Sequence, residues 1–329
     1  MPTDVAVIIV NYGTPRMAIA AADSVLQRAP DGLSVEIHIV DNASPGDDRE
    51  VLSEAAIRWG DGVTLHLEAV NHGFGRGNNL VLRQLAARPA PPDKVYLLNP
   101  DARLVTNAVA ELAAFLDAHP RAGVAGSGIV DATTLKPVVC AFRFPGLVSE
   151  FSTALNVGPL YRMLKRWQVA FPPGIPRQEV DWVSGASMMA RLSALAEVGF
   201  FDPDYFLYYE EVDLMHRMKR RGWEVWHLPE AKVAHIAGAA TGVTSANPER
   251  RPLPGYWFDS WRFYFEKTHG RAGARVAALG RWIGTVLGDL QCRLRRKPVQ
   301  NPQNFAADFR QRVLRPLFGA APPSRPLTR

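Results

Sequence analysis

The feature that most constrains this chain is a rhythm. Short, apolar, β-branched runs alternate with segments of helical spacing, and the runs stop at polar residues. The run 5–10 ends at Asn11-Tyr12-Gly13. The run 35–41 ends at Asp41-Asn42, a third covers 63–69, and a fourth over 94–102 takes in a carboxylate, Asp101. Residues 15–28, 48–59, 78–87 and 106–118 carry helical spacing between or after them. Strands alternating with helices in this way predict an α/β fold with a mostly parallel sheet and helices on both faces. Such sheets bind ligands outside the carboxyl ends of their strands. Asn11, Asp41 and Asp101 all fall at strand ends, where a site is expected.

The pattern weakens further on. GVAGSGIV predicts another strand, and 131–181 is irregular and rich in Pro, Gly and aromatic residues. Regular structure resumes over 180–190 and in a helix over 192–198. A loop at 200–209 runs into a helix from about 210, and 223–238 reads as two short strands around Pro229. Aromatic helices are expected over 256–269 and a further helix over 271–296, with a loose tail past 316. The chain has 329 residues, 47% of them hydrophobic, enough for one large domain and an appendage. The expected division is a domain over 1–245 and a helical appendage over 246–329. Two cysteines exclude a disulfide-stapled scaffold and a Cys-rich zinc module.

Charge is unevenly placed. Residues 249–329 hold 16 Lys and Arg against 5 Asp and Glu, whereas the preceding 248 residues are mildly acidic. Such a tail asks for an anionic partner: nucleic acid, a membrane surface or a charged substrate. No apolar stretch approaches the roughly 18 residues of a membrane span, and the N-terminus lacks the basic flank of a signal peptide. The expectation is a cytoplasmic protein.

Five groups of residues could carry chemistry. Asp41, at a strand end, can accept from the imide N–H of a pyrimidine, or simply cap a turn. The segment 71–79, Asn-His-Gly-Phe-Gly-Arg-Gly-Asn-Asn, lets backbone approach a ligand, or is a glycine-rich turn. Its spacing is not that of a dinucleotide fingerprint. Asp101, in Leu97-Leu98-Asn99-Pro100-Asp101, is placed to bind Mg2+ or Mn2+ on a diphosphate, or closes an Asn-Pro-Asp turn. Glu210, Glu211 and Asp213 either contain a general base or favour a helix dipole. His235, alone on an apolar strand, is by itself what a satisfied core histidine looks like, though it could also serve a site.

In order and spacing, these segments resemble the inverting family 2 glycosyltransferases of GT-A fold. The likeness is greatest to bacterial rhamnosyltransferases of cell-wall and O-antigen synthesis. It rests on VIIVNY (7–12), VDNAS (40–44), NHGFGRGNN (71–79), LLNPDA (97–102), WVSGASMMAR (182–191), GFFDPDYFLYYEEVDLMHRMKRRGW (199–223) and VAHIAG (233–238). The resemblance implies a Rossmann-like nucleotide-diphospho-sugar transferase fold. Asn11, Asp41, Gly73, Asn78, Asn79, Asn99 and Asp101 would bind the nucleotide-sugar. Asp101 and His235 would hold Mg2+ or Mn2+. Glu211 would be the catalytic base, with Glu210 and Asp213 as supports, and Trp182, Gly185 and Ala186 would line the acceptor side. One departure is Asn99, where the family's acidic motif begins with Asp; metal binding then leans on the donor diphosphate.

The implied donor is a dTDP- or UDP-sugar, dTDP-rhamnose first, with galactofuranose or another hexose as alternatives. The implied acceptor is a glycan or a polyprenyl-diphosphate-linked saccharide. In the tail, Val276, Leu279, Ile283, Val286, Leu287, Leu290 and Leu294 form one helical stripe, and Gly280, Gly284 and Gly288 a second. These helices are expected to pack on the catalytic domain, on a second subunit in a homo-oligomer, or on the inner membrane surface as a peripheral element. The basic tail alone suggests nucleic acid. No recognition module supports that reading, and none is expected to bind.

Overall fold

The computed structural model describes residues 3–28, 32–155, 163–236 and 251–319. The chain divides into two compact units. The first comprises residues 1–142, 170–203 and 210–247, the second 143–169, 204–209 and 248–329. The appendage expected from 246 onward thus also takes in 143–169 and 204–209.

In the first unit nine of the described strands form one sheet, in the order β3-β2-β1-β4-β10-β6-β11-β5, with β8 paired to β11. β1 (Val5–Asn11), β2 (Val35–Asp41), β3 (Val63–Leu67) and β4 (Lys94–Leu98) pair in parallel. β10 (Ser187–Arg191) runs antiparallel between β4 and β6 (Ala122–Asp131), and β11 (Glu224–His235) is parallel to β6. β5 (Ala102–Leu104) and β8 (Gln178–Val180) each pair antiparallel with β11. The remaining two strands, β7 (Ala141–Phe142) and β9 (Trp182–Val183), pair with each other.

β1 is buried on both faces. Val5, Val7 and Ile9 join one core with α1 (Pro15–Leu26), α2 (Asp48–Trp59) and α4 (Ala108–Ala118). Ala6 and Ile8 join another with α3 (Gly73–Ala86), α6 (Leu192–Glu197) and α7 (Glu210–Arg220). Parallel strands covered by helices on both sides lose their polar alternation for this reason.

Several elements differ from expectation. α3 begins at Gly73 rather than Asn78. The run at 94–102 breaks at the Asn99-Pro100-Asp101 turn, closed by Ala102 N donating to Asn99 O at 3.1 Å, because Pro100 has no N–H for a ladder. In place of the two strands expected around Pro229 there is one, β11, which bypasses Pro229 by a register shift between Leu228 and Lys232. The irregular stretch contains α5 (Leu147–Leu155).

In the second unit, α8 (Gly255–Leu294) is two helical segments joined at Gly270, whose φ of 66° and ψ of 169° are non-helical. The expected boundary between 256–269 and 271–296 is this kink. Gly284 and Gly288 lie against α5: a Cβ on Gly284 would sit 2.7 Å from Phe151 O, and on Gly288 2.8 Å from Ala154 O. The glycine stripe is therefore a contact within the chain. Buried Glu150 accepts from Trp261 Nε1 at 2.8 Å and Arg281 Nη1 at 3.0 Å. Helical turns cover 305–318, where Phe305 and Phe309 pack on Phe258. The expected loose tail falls mostly beyond the described residues.

Candidate active site

The strand ends are joined by hydrogen bonds. Asn11 and Asp41 are register partners on adjacent parallel strands. Asn11 is fully buried, and its Nδ2 lies 3.0 Å from Asp41 Oδ1, 3.0 Å from Asp48 Oδ1 and 3.1 Å from Ser44 Oγ. Its Oδ1 accepts from Thr14 N and Oγ1. The amide is fully engaged, so Asn11 positions Asp41. Asp48, Ser44 and Asn42 belong to this network and were not singled out from sequence. Asn42 Nδ2 donates to Asn71 Oδ1 and Gly73 O, and its Oδ1 accepts from His72 N at 2.9 Å.

That network starts α3. Asn71 Oδ1 accepts from Gly73 N at 2.8 Å, and Gly73 takes a φ of 74°, which glycine adopts without a Cβ penalty. The next two glycines serve packing. A Cβ on Gly75 would lie 3.0 Å from Phe201 Cβ, and on Gly77 3.1 Å from Val10 Cγ1. Asn79 Nδ2 donates to Phe201 O at 2.8 Å and its Oδ1 accepts from Phe201 N at 3.0 Å. Asn79 is thus a staple between α3 and the 199–203 loop. Asn78 donates to Phe74 O, but its buried Oδ1 has no partner.

The Asn99-Pro100-Asp101 turn sits between two segments singled out from sequence. Asn99 N donates to Ala186 O at 2.9 Å. His235 pairs in register with Ala102, which brings its Nε2 to 3.0 Å from Asp101 Oδ1. That nitrogen is buried and makes no well-directed hydrogen bond. Asp101 is also buried. An imidazole nitrogen beside a carboxylate oxygen, poorly aligned for a hydrogen bond, fits two ligands of one divalent cation. No third His, Cys, Asp or Glu joins them among the described residues. Any cation there must complete its shell from water or ligand.

Glu210 and Glu211 open α7. Tyr208 and Tyr209, just before them, have φ of 70° and 69°, a left-handed backbone costing about 1–3 kcal/mol per residue. Oε2 of Glu210 and Oε2 of Glu211 are both buried without a partner. Burial, and then the neighbouring Glu211 charge, push the Glu210 carboxyl well above its ordinary value; burial raises Glu211 as well. Asp213 differs, accepting from Arg217 Nε at 2.7 Å, while Arg217 Nη2 donates to Phe200 O at 2.9 Å. Asp213 and Arg217 thus brace the loop before the acidic pair.

Gly185 lies against both Phe74 and Glu211. A Cβ there would lie 3.4 Å from the Phe74 ring and 3.9 Å from Glu211 Cβ. This brings residues 74, 185 and 211 together from three distant segments. Trp182 stacks on Phe142 with centroids 3.9 Å apart, forming a flat apolar wall.

Residues 94–268 match the profile of glycosyl transferase family group 2, and residues 6–136 that of glycosyl transferase family 2. The chain belongs to glycosyltransferase family 2. This family 2 enzyme is 30% identical over 228 residues to the N-acetylglucosaminyl-diphospho-decaprenol L-rhamnosyltransferase of Mycobacterium tuberculosis, covering 65% of this chain and 70% of that one. It is 24% identical over 168 residues to rhamnosyltransferase WbbL of Escherichia coli, covering 50% and 61%. Among solved structures it resembles GalNAc-T7 with UDP, GalNAc and Mn2+, at TM-score 0.59 and 13% identity, spanning 95% of this chain and 57% of that one. Staphylococcus aureus TarS aligns at TM-score 0.51 and 13% identity, over 85% of this chain and 43% of that one. These likenesses support the GT-A fold.

Proposed function

We propose that this family 2 glycosyltransferase is an inverting, cation-dependent rhamnosyltransferase. It would move L-rhamnose from dTDP-β-L-rhamnose to a glycan or polyprenyl-diphosphate-linked saccharide in cell-wall or surface polysaccharide synthesis. The observation that carries the reading is Glu211: a carboxylate with a buried, partnerless oxygen and a raised pKa, set beside Gly185 and Phe74. A raised carboxylate is a stronger base than an exposed one and can take the proton of an attacking hydroxyl. One base and one in-line displacement invert the anomeric centre, giving an α-L-rhamnoside. Burial and the Glu211 charge push the neighbouring Glu210 carboxyl up as well, which favours its proton-bearing form.

Asp41, fixed by Asn11, would accept from the pyrimidine N–H, with the unpaired Asn78 Oδ1 near the nucleoside. Asp101 and His235 would hold Mg2+ or Mn2+, which when bound neutralises charge on the departing diphosphate. Trp182, Gly185 and Ala186 would form the acceptor side. The rhamnose assignment is supported by the relatives at 30% and 24% identity, both rhamnosyltransferases by name.

A donor screen tests this. Nucleotide diphosphate release is measured across dTDP- and UDP-sugars with Mg2+, Mn2+ or chelator, and the product anomer is read by NMR. The expected result is preference for dTDP-rhamnose, an α-product, and loss of turnover with chelator. Preference for a UDP-hexose or UDP-galactofuranose overturns the donor, a retained anomer overturns inversion, and full activity in chelator overturns the metal site.

A further inference from the structure

The second segment of α8 is apolar on the wrong side. Its packed face carries small residues, Ala274, Ala277, Ala278, Gly284, Thr285 and Gly288, all buried. A helix at a protein surface normally turns polar residues outward. Here the outward face is Val276, Leu279, Ile283, Val286, Leu287, Leu290 and Leu294, all exposed, from 39% at Val286 to 77% at Leu294. At 1.5 Å per residue, the stripe runs about 27 Å along the helix. Isolated exposed leucines are ordinary, but a contiguous row of seven is not.

At its C-terminal end stand Arg293, Arg295, Arg296 and Lys297, all exposed. We propose that this face of α8 docks along the surface of a lipid bilayer containing anionic phospholipid. The stripe would sink among the acyl chains, and the four cations would meet headgroup phosphates. The charge decides the occupant: a purely apolar protein partner has no use for four clustered cations beside the stripe, whereas an anionic leaflet attracts each of them. No described helix is long and apolar enough to cross a membrane, so the element lies along the surface. The proposal is independent of how the active site is read.

The full chain is floated with phosphatidylcholine vesicles and with vesicles of phosphatidylcholine and phosphatidylglycerol. The wild type is expected to partition roughly tenfold or more in favour of the anionic vesicles, a preference that high salt reduces. The double variant Leu287→Glu/Leu290→Glu should lose vesicle binding. Changing Arg293, Arg295, Arg296 and Lys297 to Gln should lower binding to the level of neutral vesicles. Circular dichroism checks the fold of both variants, and donor hydrolysis should be unchanged in both. Absence of vesicle binding by the wild type, or equal binding by all three proteins, overturns the proposal. So does a dimer in light scattering that Leu287→Glu/Leu290→Glu dissolves without any vesicle binding, which would assign the stripe to a second copy.

Discussion

The first unit holds two sets of buried acids on opposite terms. Asp41 and Asp48 share the amide of Asn11, and Asp213 holds Arg217. Glu210 and Glu211, at the head of the same helix as Asp213, bury oxygens that meet no donor. A satisfied buried carboxylate is held in place by its donor, and removing that donor leaves a desolvated charge. An unsatisfied one is costly in the free protein and gains most when a donor arrives. On the proposed function, the contrast separates the acids held by the protein from the pair left for an incoming hydroxyl.

The largest expected effect is at Glu211. Glu211→Gln keeps the shape and removes the base, and transfer should fall about 1,000-fold. Binding of dTDP, followed by calorimetry, should persist. Near wild-type turnover would erase the contrast. The wild-type rate should also fall toward acid, with its limb above the ordinary carboxylate range because burial raises Glu211. Next comes Asn11→Ala, which leaves two buried acids without their shared donor. Urea unfolding should show a loss of about 3 kcal/mol. A loss near zero would mean that Asp41 and Asp48 do not depend on it.

The smallest effect is at Glu210. In the unfolded chain this carboxyl loses its proton near 4.5, whereas in the fold it holds it to higher pH. Stability from this residue is therefore fully present below 4.5 and is lost as pH rises through the raised value. Glu210→Gln should flatten that slope and stabilise the protein at neutral pH by about 1 kcal/mol. An unchanged pH dependence of the melting temperature would show that Glu210 is not the group held protonated.

Local pattern made much of this fold legible. α2 occupies Asp48–Trp59, the span its spacing predicts, and β1 and β2 end at Asn11 and Asp41 as their polar stops imply. The family was legible too, because its motifs are contiguous. What stayed hidden depends on distant residues. Gly73, Gly75 and Gly77 read as a turn, since glycine disfavours helix. The helix forms there because Asn71 accepts from the Gly73 N–H at its start and because Phe201 and Val10 pack where Gly75 and Gly77 lack side chains. Asn79 looks like a ligand in its motif, yet both ends of its amide belong to Phe201. A polar strand end gives no hint whether it touches ligand or braces a neighbour, and Asn11 does the second. The glycines of α8 stand out as a stripe in the sequence, but nothing there shows that α5 in the same chain packs against them.

The position of β10 also governs the birth of the protein. β3, β2, β1 and β4 are complete once residue 98 is made, but the strand that covers β4 is residues 187–191. Tyr96 waits 91 residues for the Ser187 hydroxyl that it bonds at 2.6 Å. Through that stretch of synthesis the nascent chain carries an uncovered, apolar sheet edge, a template for pairing with any other strand. Truncated chains that stop short of residue 187 are therefore expected to aggregate rather than rest as a half-built domain, and the full chain must leave the ribosome with that edge shielded.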